Sequence, residues 1–300
     1  MGTFFKQIYR YTHPRAFRHN ENIWPYVKIQ RAASGEIIAL HYRRKQVPLA
    51  QLSDLKGRFA GDVLLAATGP SVKNLRLEKF PAMPAMGVNG AYFLHERVDF
   101  RFYVIVDMGF IDKKPELIAD IIDDKQLTLF TTPHGVVKII EKFSLERIKC
   151  RFAVIEDAAF KIYQPKITNE ELWPAYRANP DVIFAAERKD IAFNYDIRSG
   201  VFDAGTVAYW ALQLLTFLGF ERLYIIGLDM NNFHQPRFYE AAENKLPTEL
   251  ENKVDELVMP AFQLASQLMK AKNITIKNLS VASAISSDIF DKVDPDEFFK

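Results

Sequence analysis

DVLLAATGPSVKNLRLEKFPAMPAMGVNGAYF, residues 62–93, holds two apolar runs that each stop at a small polar turn. Val63-Leu64-Leu65-Ala66-Ala67 is apolar throughout, as expected of a strand covered on both faces. It ends at Thr68-Gly69-Pro70-Ser71. Gly69 permits a tight turn or close approach of a ligand, Pro70 suits a first helical position, and Ser71 suits a cap. Such a turn, with free N–H groups, makes a place for an anionic group. The second run, Ala85 to Val88, leads into Asn89-Gly90 and a short aromatic segment. Ligands of open α/β sheets lie at the carboxyl ends of strands, so both turns are candidates for one nucleotide site. The pattern is neither G-x-G-x-x-G nor a Walker loop, and an ordinary strand-to-helix turn reads the same way.

The flanking sequence continues the alternation. Strands are expected at Phe100 to Val106, ending on Asp107, at Leu127 to Phe130, and at Phe152 to Ile155. Leu117, Ile118, Ile121 and Ile122 fall at helical spacing, and Val136 to Phe143 reads as a helix. Strand and helix in turn define an α/β, Rossmann-like fold with a mostly parallel sheet flanked by helices. Residues 155–198 lose periodicity and read as a small lid or insert. The stretch 196–231, DIRSGVFDAGTVAYWALQLLTFLGFERLYIIGLDMN, restores the pattern. Val207 to Leu218 is apolar all round, hence a buried helix, and Gly219 ends it. The strand Leu223 to Ile226 then delivers Gly227-Leu228-Asp229 to the same sheet edge. Asp229 reads either as a ligand contact or as a carboxylate accepting loop N–H groups. A polar loop, 232–251, collects His234, Arg237, Tyr239, Glu240 and Glu249. A helix from about 252 to 270 and a strand Ile274 to Ile276 follow.

With 300 residues, 49% apolar and 25% charged, the chain is long enough for a substantial core. A net charge of +2 gives no whole-molecule attraction to nucleic acid. A single cysteine, Cys150, excludes an intrachain disulfide and suits a reducing compartment. No secretory signal is expected, and no run approaches the ~20 apolar residues that cross a bilayer. The start of the chain differs from the rest: residues 1–45 carry nine Lys and Arg against two acids, interleaved with Phe, Tyr and Trp. We read 1–50 as an arm and small hairpin, which either docks on an anionic membrane or packs its aromatics on the domain at 51–300. Metal chemistry finds no support: the one Asp-x-Asp, Asp294-Pro295-Asp296, lies in the acidic tail and reads as solvated. No cofactor is expected.

The order strand–TGPS, strand–VNGAYF, RSGV before a buried helix, LYIIGLDM and IKNLS resembles the bacterial sialyltransferases that use CMP-sialic acid. Across residues 225–286, GLDM, RFYEAAENKLPTEL and NITIKNLSVASAIS are more similar still to the lipopolysaccharide-core Kdo (3-deoxy-D-manno-octulosonic acid) transferases. The resemblance implies a metal-independent glycosyltransferase of the GT-A-like sialyltransferase type. Its donor would be CMP-Kdo and its acceptor a lipopolysaccharide or lipid A-core glycolipid. It would work from the inner face of the bacterial inner membrane, as a cytoplasmic, peripheral protein. By position, Thr68, Gly69, Pro70 and Ser71 would lie near the nucleotide phosphate and ribose, with Asn89 and Gly90 facing the nucleotide and donor. Arg198, Ser199 and Gly200 would form the cytidine-side loop, and Asp107, Asp229 and Asn231 would line the donor site. Thr68, Asp107 and Asn231 replace the family's Asn, Asn and first phosphate Tyr; Tyr239 matches the second. The sialyltransferases' His base has no counterpart beyond His234, so Glu249, Glu240 and His234 are the candidates for that role, and Arg237 for anion binding. A CMP-sialic acid transferase, a pterin-type pyrophosphokinase and a non-catalytic nucleotide-binding adaptor are the alternative readings.

Overall fold

The computed structural model describes residues 3–248 and 250–299. In its first half the chain forms α1 (Thr3–Thr12), β1 (Val27–Arg31), β2 (Ile37–Tyr42), β3 (Lys45–Val47), α2 (Leu52–Leu55), β4 (Asp62–Ala66), β5 (Ala85–Val88) and β6 (Phe100–Ile105). Next come α3 (Met108–Lys113), α4 (Pro115–Asp123), β7 (Thr128–Thr131), α5 (Pro133–Phe143), β8 (Arg151–Val154), α6 (Asn169–Tyr176), β9 (Val182–Phe184) and β10 (Ala192–Asn194). The last third contains α7 (Val207–Leu218), β11 (Arg222–Ile226), α8 (Met259–Ala271), β12 (Thr275–Asn278), β13 (Asp291–Lys292) and α9 (Pro295–Phe298).

Eight strands form a sheet in the order β13-β12-β11-β4-β5-β6-β7-β8, flanked by helices. The pairs β13–β12, β12–β11, β11–β4, β4–β5, β5–β6 and β7–β8 are parallel, so the expected mostly parallel α/β fold is what the chain adopts. Non-consecutive neighbours such as β11 and β4 require crossovers, and the helices supply them.

By packing, the chain divides into two compact units, 1–55 with 105–203, and 56–104 with 204–300. This division runs along different lines from the sequence boundary at 50, because the basic arm shares its unit with β7, β8 and their helices.

In the first unit, β1, β2 and β3 make an antiparallel sheet. The hairpin read from the sequence is its β2–β3 half. The arm's aromatics divide: Tyr9 is buried, Phe5 meets Trp24 and Tyr26 edge-on, and Phe4 and Tyr11 stay exposed. α5 begins three residues before its expected start, with the Thr132 side chain capping the N–H of Gly135. The segment read as a small lid or insert holds α6, β9 and β10. A capping box of Thr168 and Glu171 opens α6. Ala158, Leu172, Tyr176, Val182, Ala192 and Phe202 form a small core beneath.

In the second unit, β4 from Val63 onward and all of β5 are apolar and buried as expected, and α7 buries ten of its twelve residues. Gly219 closes α7 in the left-handed conformation at φ 103°. Where a helix from about 252 was expected, a 3₁₀ turn (Glu251–Lys253) and a π turn (Val254–Val258) come first, and Pro260 sits in the opening turn of α8. The acidic tail is docked on the sheet edge and by its aromatics, while Asp294 stays exposed and the Asp296 side chain keeps 41% of its surface in solvent. β13 pairs with β12, Phe290 is buried, Phe299 meets Phe80, and Asp296 binds Arg76 and Lys79. Asp294 caps α9.

Candidate active site

Three strands of the second unit, β4, β5 and β11, end in the turns singled out by the sequence. After β4 the chain enters a short 3₁₀ helix, Pro70–Asn74, rather than an α-helix. The N–H groups expected to receive an anion there are engaged: Gly69 N–H donates to Gly227 O at 2.8 Å, and Ser71 N–H to Asp229 Oδ2 at 2.9 Å. Ser71 Oγ also donates to Asp229 Oδ1 and pairs with Ser280 Oγ at 2.9 Å. Ser71 therefore does not cap the helix; it ties the β4 turn to the β11 turn. Asp229, buried, acts as the acceptor of loop donors. A Cβ at Gly69 would collide with the Asp229 carboxylate, so this closeness requires glycine.

The β11 turn is held from its other side by residues after β12. Ser283 Oγ donates to Leu228 O at 2.7 Å, Ala284 N–H to Asp229 O at 2.7 Å, and Asn231 Nδ2 to Ala282 O at 2.8 Å. The N-L-S-V-A-S-A stretch thus has a physical task, fixing the shape of G-L-D-M-N. Asn278, at the end of β12, accepts the Ser280 N–H on Oδ1, while its Nδ2 is buried without a protein partner.

After β5, Asn89 takes φ 47° and turns the chain into a 3₁₀ segment, Asn89–Leu94. Tyr103 Oη anchors it, donating to Asn89 O at 2.6 Å and accepting Tyr92 N–H at 2.7 Å. Asn89 Oδ1 is buried with no protein partner. A buried amide oxygen left unmet is costly. Tyr239 lies flat against Gly90, where a Cβ would strike its ring, and Phe93 stacks on it at 5.2 Å between centroids. Phe238 N–H reaches Thr68 O at 3.3 Å, bringing the polar loop to the β4 turn. Burial pushes the Tyr239 phenol up to about 12, so it stays protonated near neutral pH and can donate a hydrogen bond. Phe93 carried no role in the sequence reading; its signal is the aromatic run that follows Asn89-Gly90.

The other candidates of the 232–251 loop separate in the structure. Glu240 is buried, and its carboxylate accepts Arg237 N–H at 3.0 Å, Arg237 Nη1 at 2.8 Å and Leu246 N–H at 3.3 Å. A carboxylate held this way is a clamp on its loop, which argues against Glu240 as the base. Arg237 is correspondingly engaged, and also donates to Leu246 O at 3.2 Å. His234 is 90% exposed, with Nε2 3.7 Å from Glu251 Oε1. Glu249 lies outside the described residues.

Asp107, Arg198, Ser199 and Gly200 belong to the first unit. Asp107 is exposed and caps α3 by accepting Gly109 N–H at 2.7 Å. Asp196 grips the Arg198 guanidinium through Nε at 2.8 Å and Nη2 at 2.6 Å, and Arg198 Nη1 reaches Ser53 Oγ at 3.1 Å. Asn194 holds the turn by donating to Ser199 Oγ at 2.9 Å and Gly200 O at 2.6 Å. Among the described residues no cluster of three His, Cys, Asp or Glu side chains is arranged to hold a metal ion, Asp294 and Asp296 included.

Residues 177–295 match the family model described as 3-deoxy-D-manno-octulosonic acid transferase WaaZ. The chain is 25% identical over 245 residues to a probable 3-deoxy-manno-octulosonic acid transferase of Salmonella typhimurium, covering 77% of this chain and 86% of that protein. It is also 25% identical over 254 residues to the protein so described in Escherichia coli, at 78% and 83% coverage. Among solved structures it matches the sialyltransferase CST-II, crystallised with a trisaccharide acceptor and CMP. That match has a TM-score of 0.38 and 11% identity, over 76% of this chain and 84% of that one. The class these sequence matches support is glycosyltransferase. Within it, the proteins matched are described as Kdo transferases, the resemblance expected of residues 225–286.

Proposed function

We propose that the protein transfers Kdo from CMP-Kdo to a sugar hydroxyl of the lipopolysaccharide inner core. The observation that carries this reading is the Asn89–Gly90–Tyr239 corner. There a buried amide oxygen without a partner and a phenol that stays protonated stand at the carboxyl edge of the sheet. Asn89 would receive a donor group of the CMP-sugar, and Tyr239 would donate to its phosphate. As the C2–O bond breaks, the phosphate oxygen takes the electron pair and Tyr239 stabilises the growing charge. The acceptor oxygen forms the new bond to C2 and gives its proton to a base. With Glu240 clamped, Glu249 and His234 remain for that task. Thr68, Gly69, Pro70, Ser71, Asp229 and Asn231 would shape the donor pocket, Asp229 by holding Ser71. Asp107, Arg198, Ser199 and Gly200 keep the donor-side roles that the family resemblance assigns them.

The acceptor is a membrane glycolipid, and α1 supports a peripheral mode of reaching it. No described helix is long and apolar enough to cross a membrane. α1 instead presents exposed Phe4 and Tyr11, in an arm rich in positive charge. Placement on the inner face of the inner membrane follows from this reading.

Thermal shift with CMP, then turnover of CMP-Kdo and CMP-sialic acid side by side, tests the proposal. CMP should stabilise the protein, and CMP-Kdo should be consumed faster. Stabilisation by ATP and magnesium with no response to CMP would overturn it in favour of a pyrophosphokinase. No response to either nucleotide would favour a non-catalytic protein.

A further inference from the structure

In the first unit a cavity of about 200 Å³ opens beyond the carboxyl ends of β7 and β8. Its wall includes His19, Thr132, His134, Glu156, Asp157 and Phe160. At roughly 30 Å³ per water in the liquid, it has room for about six or seven waters, the bulk of one monosaccharide ring.

The chemistry of the wall narrows the ligand. Glu156 is already neutralised: Arg31 binds it through Nη1 and, at 3.1 Å, through Nη2, and Ile162 N–H donates to it at 2.9 Å. Asp157 accepts Ala159 N–H at 2.7 Å, and burial pushes its carboxyl up to about 7, so near neutral pH it both donates and accepts. His134 Nε2 lies 2.8 Å from His19 O, and His19 Nε2 lies 2.9 Å from Lys161 O. Carbonyl oxygens only accept, so each Nε2 carries a hydrogen, and in a neutral ring Nδ1 is then the acceptor. His19 Nδ1 is buried without a protein partner. Burial lowers the His134 pKa, which keeps that ring neutral at pH 7. Phe160, 41% exposed, adds an apolar surface. The wall therefore offers acceptors, the Asp157 carboxyl and one aromatic ring; none of the lining residues is a lysine or arginine, and Lys166 Nζ lies 4.7 Å from the Phe160 ring centroid. A phosphate or carboxylate would meet acceptor lone pairs and no lining lysine or arginine, whereas a ring of neutral hydroxyls would find partners.

We propose that this cavity is a subsite for one neutral sugar ring of the acceptor glycan, with Phe160 as its apolar wall and Asp157 and the two histidines as its hydrogen-bond partners. The word acceptor rests on the transferase reading above; the sugar-binding chemistry rests on the cavity alone.

The test uses the full chain, with methyl α-D-glucopyranoside and methyl α-D-mannopyranoside as probes, mannose 6-phosphate as the charged control, and saturation-transfer NMR as the readout. CMP binding is followed in parallel by thermal shift. The neutral glycosides should bind, mannose 6-phosphate should bind at least roughly fivefold more weakly, and Phe160→Ala should weaken the neutral probes by roughly tenfold. Asp157→Asn, which preserves shape, should weaken them less and leave the CMP response unchanged. Equal binding of neutral and phosphorylated sugars, or wild-type binding in both variants, would overturn the proposal. CMP binding without glycoside binding would remove the subsite and leave the transferase reading standing. Glycoside binding without CMP binding would remove the transferase reading, and with it the assignment to an acceptor.

Discussion

Gly90 shows how one missing methyl group shapes a site. The Tyr239 ring occupies the space a Cβ would need, and Tyr239 in turn carries Phe93. Gly90→Ala should cost about 1–3 kcal/mol by chemical denaturation, the usual penalty of overpacking, and should weaken CMP binding. Adding Tyr239→Ala should return most of that stability without restoring turnover; a strictly additive double variant would show that the two residues do not press on one another. Asp157 makes a prediction of opposite character. Its carboxyl ionises near 3.8 in a model peptide and is raised to about 7 in the folded chain by burial, reinforced by Asp203 and opposed by the Ala159 N–H and Lys166. The folded state thus holds a proton that the unfolded state has lost. This group's contribution to stability is complete below about pH 4 and is lost as pH rises toward 7. Asp157→Asn should remove that slope, so the variant should gain Tm relative to wild type at pH 8 and gain little at pH 4. Equal shifts at both pH values would show that the carboxyl is not raised.

The 232–251 loop is the element on which the chemistry turns. Residue types alone made Glu240 and Glu249 equivalent as bases. In the fold Glu240 accepts Arg237 and Leu246 donors and closes the loop on itself. Glu240→Gln should keep turnover within about tenfold of wild type, while Glu249→Gln should lower it by roughly 10²–10⁴-fold with CMP affinity intact. A Glu240→Gln loss as deep as that of Glu249→Gln would return Glu240 to the reaction. The same distinction explains the β4 turn. G-P-S after a strand suggested open N–H groups, yet those of Gly69 and Ser71 are turned onto Gly227 and Asp229. A turn's hydrogen-bond partners come from strands distant in sequence, 158 residues away for Ser71 and Asp229, and local pattern carries no record of them.

For the whole molecule, the basic arm makes the clearest prediction. Charge and aromatics suggested either a membrane contact or a packed segment, and the structure contains both features: Tyr9 is buried while Phe4 and Tyr11 are exposed. Deleting residues 1–12, which form α1 and what precedes it, should lower binding to vesicles containing anionic lipid and leave turnover on a water-soluble acceptor largely intact. Undiminished vesicle binding would assign α1 to packing alone. Each remaining basic residue near such a surface is worth about 1 kcal/mol, so the loss should shrink as salt is raised.

Alternating apolar runs and small-residue turns were enough to place β4, β5, β6, β7, β8, α7 and β11, because burial on both faces leaves a continuous apolar signature that neighbours cannot alter. The residues 155–198 were opaque for the converse reason: α6, β9 and β10 are short, and a small core of six buried residues spaced irregularly between Ala158 and Phe202 holds them. What the sequence determined by itself was the sheet, its buried helix and the strand ends where polar residues gather. Only the tertiary structure decided which of those residues are already hydrogen-bonded, as Asp229, Ser71 and Glu240 are, and which, like Asn89 Oδ1 and His19 Nδ1, are buried without a partner in the protein. Covalent sequence specifies a side chain's chemistry; whether a neighbour satisfies it depends on distances that arise only when the chain closes on itself.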